Sequence, residues 1–229
     1  FFINEDLKVK SLDAYNQGLK DVLQHKDIGT LADKLDRVCK LTDVIVCKLA
    51  VKDPSSIKRT ATLCKADLLS KAVYEFTELQ GVIGAEYARR LGETPEVAKG
   101  IEEHYKPLSA EDSIPEGLEG CIVGLADKID SICAGFSAGL KPTSSKDPYQ
   151  LRRAAFGVIK ILVGKGLELD LKEILKAAIE NLKKNDASIL PEITDFFKGR
   201  METVLADRGI TFDEIDAIFS ADFSNISEA

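Results

Sequence analysis

Two histidines, His25 and His104, supply all the imidazole in this 229-residue chain. That leaves little room for histidine acid–base or metal chemistry. His25 lies in a polar turn, Gln24-His25-Lys26-Asp27, and reads as a surface residue. His104 follows Val97 and Ile101 at i−7 and i−3, so it shares their apolar face. It is either a hydrogen-bonded core histidine or part of a site. Asp127 is the second unusual residue, placed inside an otherwise apolar helical stretch, Cys121-Ile122-Val123-Gly124-Leu125-Ala126-Asp127-Lys128-Ile129-Asp130. Asp130 is three residues on and shares its face, so the pair is either a solvated stripe or a buried charge centre. The five cysteines, at 39, 47, 64, 121 and 133, form no CxxC pair. A zinc knuckle and a disulfide scaffold are therefore both unsupported, and an odd number of free thiols fits a reducing compartment.

The other chemical concentration is basic. Lys141, Lys146, Arg152, Arg153, Lys160 and Lys165 face the single acid Asp147 in a chain of net charge −7. The global charge argues against a nonspecific nucleic-acid binder, but this local excess suits phosphate contact. Thr143, Ser144 and Ser145 add hydroxyl donors, and the loop feeds a helix N-terminus whose N–H groups favour anions. Tyr149 is the one aromatic placed to stack on a base. Structural ion pairing of Arg152 and Arg153, or an inter-subunit contact, are the competing readings.

The elements that carry these residues read as helices throughout, because apolar residues recur at three and four rather than alternating. Helices are expected over 11–23, 30–50, 54–79, 82–91, 94–105, 117–139, 147–165, 170–184, 190–208 and 211–220. Asp53-Pro54, Thr94-Pro95 and Asp147-Pro148 each place a cap before a first-turn proline, and Thr30 with Asp33 resembles a capping box. A weak boundary falls at Gly164–Asp170. Beyond it, amphipathic stripes run through Ile174/Leu175/Ala178, Phe196/Phe197/Met201 and Ile215/Ile218/Phe219.

Composition agrees with a globular chain: 45% hydrophobic and 30% charged residues exclude disorder. The longest uncharged stretch, Ser131 to Leu140, is about half of the ~20 residues a membrane helix needs. No signal peptide is visible, so a cytoplasmic location is expected. Phe1 is not an initiator methionine, so a longer parent protein is expected.

The order of these residues resembles the HD-superfamily phosphohydrolases, all-α proteins that bind a divalent metal with a His, a His-Asp pair and a final Asp. Lys34-Leu35-Asp36-Arg37-Val38 resembles the first context with Lys34 in the His position, and Ala66-Asp67-Leu68-Leu69-Ser70-Lys71 the second with Ser70 and Lys71 replacing the pair. His104 matches an accessory His and Asp127 the final Asp. A lysine ammonium has no lone pair to offer a metal, so the site reads as degenerate with no metal bound. Lys34 and Lys71 are then expected to stand in for the cation beside Asp127. For Lys71 an exposed Asp67–Lys71–Glu75 ladder is an equal alternative. An active HD phosphohydrolase on nucleotides or phosphate esters remains the alternative function.

A longer match is more specific. Leu140-Lys141-Pro142-Thr143-Ser144-Ser145-Lys146-Asp147-Pro148-Tyr149-Gln150-Leu151-Arg152-Arg153-Ala154-Ala155 is similar to a signature of the β subunit of bacterial heterotetrameric glycyl-tRNA synthetases. Segments 65–69, 74–84 and 98–107 agree in the same order, and likeness extends from residue 1 to at least 219. Thr77 stands where that family usually has Pro, and Ser144 where it has Gly. The resemblance implies an all-α, HD-like helical domain over 1–165 and a helical extension over 166–229, leading toward an anticodon-binding domain that lies elsewhere. It implies a noncatalytic part of the ligase: the α subunit would use ATP and Mg to activate glycine, while this region needs no cofactor. Partners implied are the α subunit, the glycine tRNA and the rest of the β subunit, with no membrane. With that role, the basic segment read above supplies the candidate tRNA contacts: Lys141, Thr143, Ser145, Lys146, Tyr149, Arg152 and Arg153. A pure scaffold joining subunits is a further alternative.

Overall fold

The apolar run at Cys121–Ala126 becomes the centre of the molecule. In the computed structural model, which describes residues 2–143 and 146–206 (the last four by backbone alone), that run lies in a helix whose side chains are buried on every face. Such all-round burial marks a central helix. In chain order the helices are α1 (Phe2–Asp6), α2 (Asp13–Asn16), α3 (Leu31–Lys48), α4 (Ser55–Leu63), α5 (Lys71–Glu75), α6 (Val82–Arg90), α7 (Pro95–Glu103), α8 (Leu118–Ser137), α9 (Leu151–Lys165), α10 (Leu171–Glu180) and α11 (Leu190–Ala206). The central helix is α8, which packs against α3, α4, α7, α9 and α10. One short antiparallel pair, β1 (Leu23–His25) with β2 (Gly29–Thr30), precedes α3. The fold is all-α, as the periodicity implies. The expected helix at 211–220, together with Ser144 and Ser145, lies outside the described residues.

Two apolar cores form. The larger gathers Val38, Ile45, Ile122, Leu125, Ile129, Val158, Ile174 and Phe197 from α3, α8, α9, α10 and α11. The smaller gathers Leu12, Leu63, Ala85, Tyr87, Val97 and Ile101 around α6 and α7. At ~25 cal/mol per Å² of apolar surface removed from water, these clusters supply the main folding force.

Side-chain caps explain several helix starts. Thr30 Oγ1 accepts from Asp33 N at 3.2 Å while the Asp33 carboxylate accepts from Thr30 N at 2.8 Å, a complete capping box. Thr94 caps α7 with Pro95 in the first turn. Asp53 acts one residue early: it accepts from Ser55 N at 3.1 Å, and α4 begins at Ser55. The single helix expected over 54–79 is instead broken after Leu63 into a 3-10 turn at Ala66–Leu69, α5, and a second 3-10 turn at Thr77–Leu79. The cause is local side-chain competition for the backbone. Ser70 Oγ donates to Asp67 O at 2.7 Å and accepts from Val73 N at 3.1 Å, starting a new helix. The Asp67 carboxylate accepts from Gly81 N at 2.6 Å and Gly84 N at 3.2 Å at the start of α6. The helix expected over 11–23 is likewise reduced to α2, a 3-10 turn at Leu19–Asp21 and β1.

Candidate functional site

Between the two cores lies a buried cluster of charge. Lys34 and Arg37, one helical turn apart on α3, face Asp127, Asp130 and Ser131 on α8. The Lys34 ammonium lies 2.9 Å from Asp127 Oδ1 and 3.2 Å from Asp130 Oδ2, and donates to Ser131 Oγ at 2.8 Å. Arg37 Nε donates to Asp130 Oδ1 at 2.6 Å. From the other side, Lys65 donates to Asp127 Oδ2 and to His104 Nε2, both at 2.9 Å. His104 Nδ1 donates to Ile101 O at 2.6 Å, which sets the neutral tautomer. Lys128 Nζ donates to the carbonyls of His104 at 2.9 Å and Tyr105 at 3.2 Å.

These contacts set the protonation states. Burial alone would raise the Asp127 carboxyl, but the Lys34 and Lys65 ammonium groups outweigh it and hold it well below the usual carboxylate range. Burial, then the Lys65 charge, drives His104 well below an ordinary imidazole. Burial would also lower Lys65, but the Asp127 charge overrides it and raises the ammonium's pKa. Lys128, with burial the dominant influence, is lowered to about 8.

Two glycines make the geometry possible. A Cβ on Gly124 would come 2.8 Å from the His104 carbonyl oxygen, so α8 can approach the end of α7 only with glycine there. A Cβ on Gly157 of α9 would come 2.9 Å from Lys128 Cε, so that glycine seats the lysine stem.

Of the residues aligned with an HD metal site, the structure brings Lys34, His104 and Asp127 together. Lys71 does not join them, and neither expectation for it describes its place. Its side chain is exposed, 3.7 Å from Glu5 Oε2. The Asp67–Lys71–Glu75 ladder is absent because Asp67 is buried against the Gly81 and Gly84 amides. Ser70 is a helix cap. The second cation on Asp127 is Lys65, six residues before Lys71 and unremarked in the sequence; its signal was a lysine directly after the buried Leu63-Cys64 pair. This donor set does not fit a divalent cation. Both Asp127 oxygens face ammonium groups, His104 Nε2 accepts from one of these same lysines, Lys65, and a protonated lysine repels a metal. Among the described residues no group of three or more His, Cys, Asp or Glu side chains is arranged to hold one.

The basic segment lies beside this cluster. Among the described residues, Lys146, Arg152 and Arg153 have no carboxylate within ion-pair distance, whereas Lys141 pairs with Glu192 at 2.7 Å. Lys160 donates to the Ala110 and Asp112 carbonyls and Lys165 to that of Glu116, bracing the 106–117 loop. Arg152 donates to Thr143 O, and Arg153 to Gln150 Oε1. Thr143 and Lys146 form an antiparallel bridge, closing the loop between them. The helix N-terminus expected to receive a phosphate is already capped. α9 starts at Leu151, and the Asp147 carboxylate accepts from Leu151 N and Arg152 N, both at 2.9 Å. A resident carboxylate there repels a second anion, so phosphate contact would fall to the side chains.

The described part of the chain is thus a mostly helical, all-α fold with a cation-compensated acidic centre and a basic, aromatic-bearing segment beside it. The chain belongs to the glycyl-tRNA synthetase beta subunit family, whose model matches residues 1–220. It is 42% identical over 236 residues to a glycine–tRNA ligase beta subunit of Desulforamulus reducens, covering 100% of this chain and 34% of that protein. It is 42% identical over 234 residues to that of Halalkalibacterium halodurans (99% and 34%) and 44% identical over 225 residues to that of Syntrophomonas wolfei (96% and 33%). The chain therefore spans about a third of the length of these relatives. Among the described residues no helix is long and apolar enough to cross a membrane.

Proposed function

We propose that this chain serves the attachment of glycine to its tRNA as a noncatalytic region of a ligase β subunit, holding the tRNA through its phosphate backbone. ATP and Mg would be used by the α subunit. One observation carries this reading: Lys146, Arg152 and Arg153, together with the exposed Tyr149, stand free of carboxylate partners among the described residues, while the cations around them are spent on bracing. Cations without carboxylate partners, Lys146 before the helix and Arg152 and Arg153 in the first turn of α9, gain by displacing counterions from a phosphate backbone. The acidic centre supports the noncatalytic part, since ammonium groups hold Asp127 in place of a Lewis acid. The test is Lys146→Glu with Arg152→Glu in the full-length β subunit assembled with α. The KM for tRNA rises severalfold and the salt dependence of tRNA binding weakens, while ATP- and glycine-dependent adenylate formation is unchanged. A pure scaffold predicts no change in either tRNA measurement.

A further inference from the structure

A cavity of about 170 Å³ opens where α8, the start of α9 and the 105–108 loop meet. It lies directly over the charge cluster, with Asp127 and Lys128 in its lining, and Tyr105, Tyr149, Gln80, Gln150 and Arg153 contribute walls and rim. Its size admits one flat ring system, far less than a drug-sized ligand or whole cofactor. Its chemistry is unusual for a surface dent. The exposed Tyr149 offers a ring face, while the Tyr105 ring is already packed against Lys65 and His104; two primary amides offer paired donors and acceptors, and two cations stand at one site. The buried groups beneath are Lys34, Arg37, Lys65 and Lys128 against Asp127, Asp130 and the nearby Asp67, a small cationic excess in which Asp127 and Asp130 are already ion-paired. Gln150 is held in the left-handed region at φ 56°, ψ 31°, uncommon for a residue with a side chain. That conformation carries its amide to Arg153 and places Tyr149 at the rim, 45% exposed.

We infer that this cavity takes the base of one unstacked RNA nucleotide, with Tyr149 as its stacking face and Arg153 on the adjoining phosphate. The inference rests on the tRNA-holding reading and gives it a specific contact. Single-stranded RNA is held in this manner, by aromatic stacking, amide contacts to base edges and arginine on the backbone. Lys128 has two carbonyl partners and, among the described residues, no third, leaving one N–H for a carbonyl of the base.

The test uses the full-length β subunit assembled with α and a glycine tRNA transcript, read by binding and by nucleotide-resolution chemical probing. Tyr149→Ala removes the stacking face. Ala154→Leu fills the cavity, with thermal melting to check its fold. Tyr149→Phe retains the ring. Tyr149→Ala and Ala154→Leu weaken tRNA binding roughly 5- to 100-fold, the range for one stacked base. Both release the protection of a single unpaired nucleotide, and Tyr149→Phe keeps both properties. If Tyr149→Ala leaves affinity within about twofold and the probing pattern intact while Lys146→Glu/Arg152→Glu still weakens binding, the cavity assignment is wrong and the backbone grip stands. If neither set of variants changes tRNA binding, both readings fall. Free AMP or GMP binding that Ala154→Leu abolishes, with tRNA probing unaltered, would overturn the RNA assignment.

Discussion

The Lys65 ammonium lies between Asp127 and His104, 2.9 Å from the Oδ2 of one and the Nε2 of the other. Lys65 belongs to the segment linking α4 to the smaller core, while Asp127 belongs to the central helix. The lysine therefore compensates a buried carboxylate, fixes the tautomer of a buried imidazole and ties two parts of the molecule together. Taking Lys65 away leaves the buried Asp127 with Lys34 as its single ion-pair partner, and taking Asp127 away leaves a buried ammonium facing a neutral imidazole; either loss costs more than the pair itself contributes.

Lys65→Met is expected to destabilise the fold by about 3–5 kcal/mol, because it leaves Asp127 with one cation in a buried site. Lys34→Met acts in the same direction and raises the Asp127 pKa. Lys71→Met, on an exposed side chain, changes stability by less than about 0.5 kcal/mol. Urea denaturation of the three variants ranks them. A Lys71 effect as large as that of Lys65 would contradict this arrangement.

Acid should weaken the fold in two stages. His104 stays neutral in the folded state, while an unfolded imidazole protonates near pH ~6.5. Below that pH the unfolded chain binds a proton the folded chain refuses, so stability falls. Asp127 has a depressed folded pKa, so its contribution is present above an ordinary carboxyl pKa and is lost as pH falls below ~4. His104→Gln should flatten the first stage and leave the second. Unfolding free energies from pH 7 to 3 measure both.

Lys128 works at the alkaline end. Its folded pKa of about 8 lies below that of an unfolded lysine. Between these values the unfolded chain holds more protons, so this residue's contribution to stability rises with pH from about 8 to ~10.4. The full effect is on the order of 3 kcal/mol. Lys128→Met should remove that rise, as seen in melts taken at closely spaced pH values.

Gly124→Ala sets two effects against each other. Helix propensity favours alanine by about 1 kcal/mol. The added methyl would meet the His104 carbonyl oxygen at 2.8 Å, a backbone atom that cannot swing aside. Overpacking of this kind costs about 1–3 kcal/mol, so net destabilisation is expected, with loss of the Lys128 contact to that carbonyl. A stabilised Gly124→Ala variant would show that α7 and α8 are not in such close contact.

Much of this architecture was legible in the residues, and the misses share a cause. Helical periodicity located α3, α6, α7 and α10 because each buries a regular stripe, and α8 stood out as a long, nearly continuous apolar run. Thr30, Asp33 and Thr94 cap as their spacing indicates, since capping is a local interaction. The region 64–79 failed because its structure is decided by Asp67 reaching Gly81 and Gly84, a contact 14 to 17 residues away that no periodicity encodes. Asp147 was placed at a helix start, but its carboxylate reaches forward to Leu151 and Arg152 instead of beginning the helix itself. Lys34 was identifiable by position in a pattern. Lys65 was not, because only the meeting of two distant segments reveals which lysine faces Asp127. The cavity was likewise invisible, although Tyr149, Arg153 and Asp127 at its margin were each singled out.

Because the ionic cluster is the mortar between two oily bodies, neither body can open by itself. Parting them would strand Asp127 beside Lys34 alone and expose Lys65 with its imidazole. The two halves should therefore melt in one transition, and the amide protons of the central helix should exchange with solvent only when the entire chain comes apart.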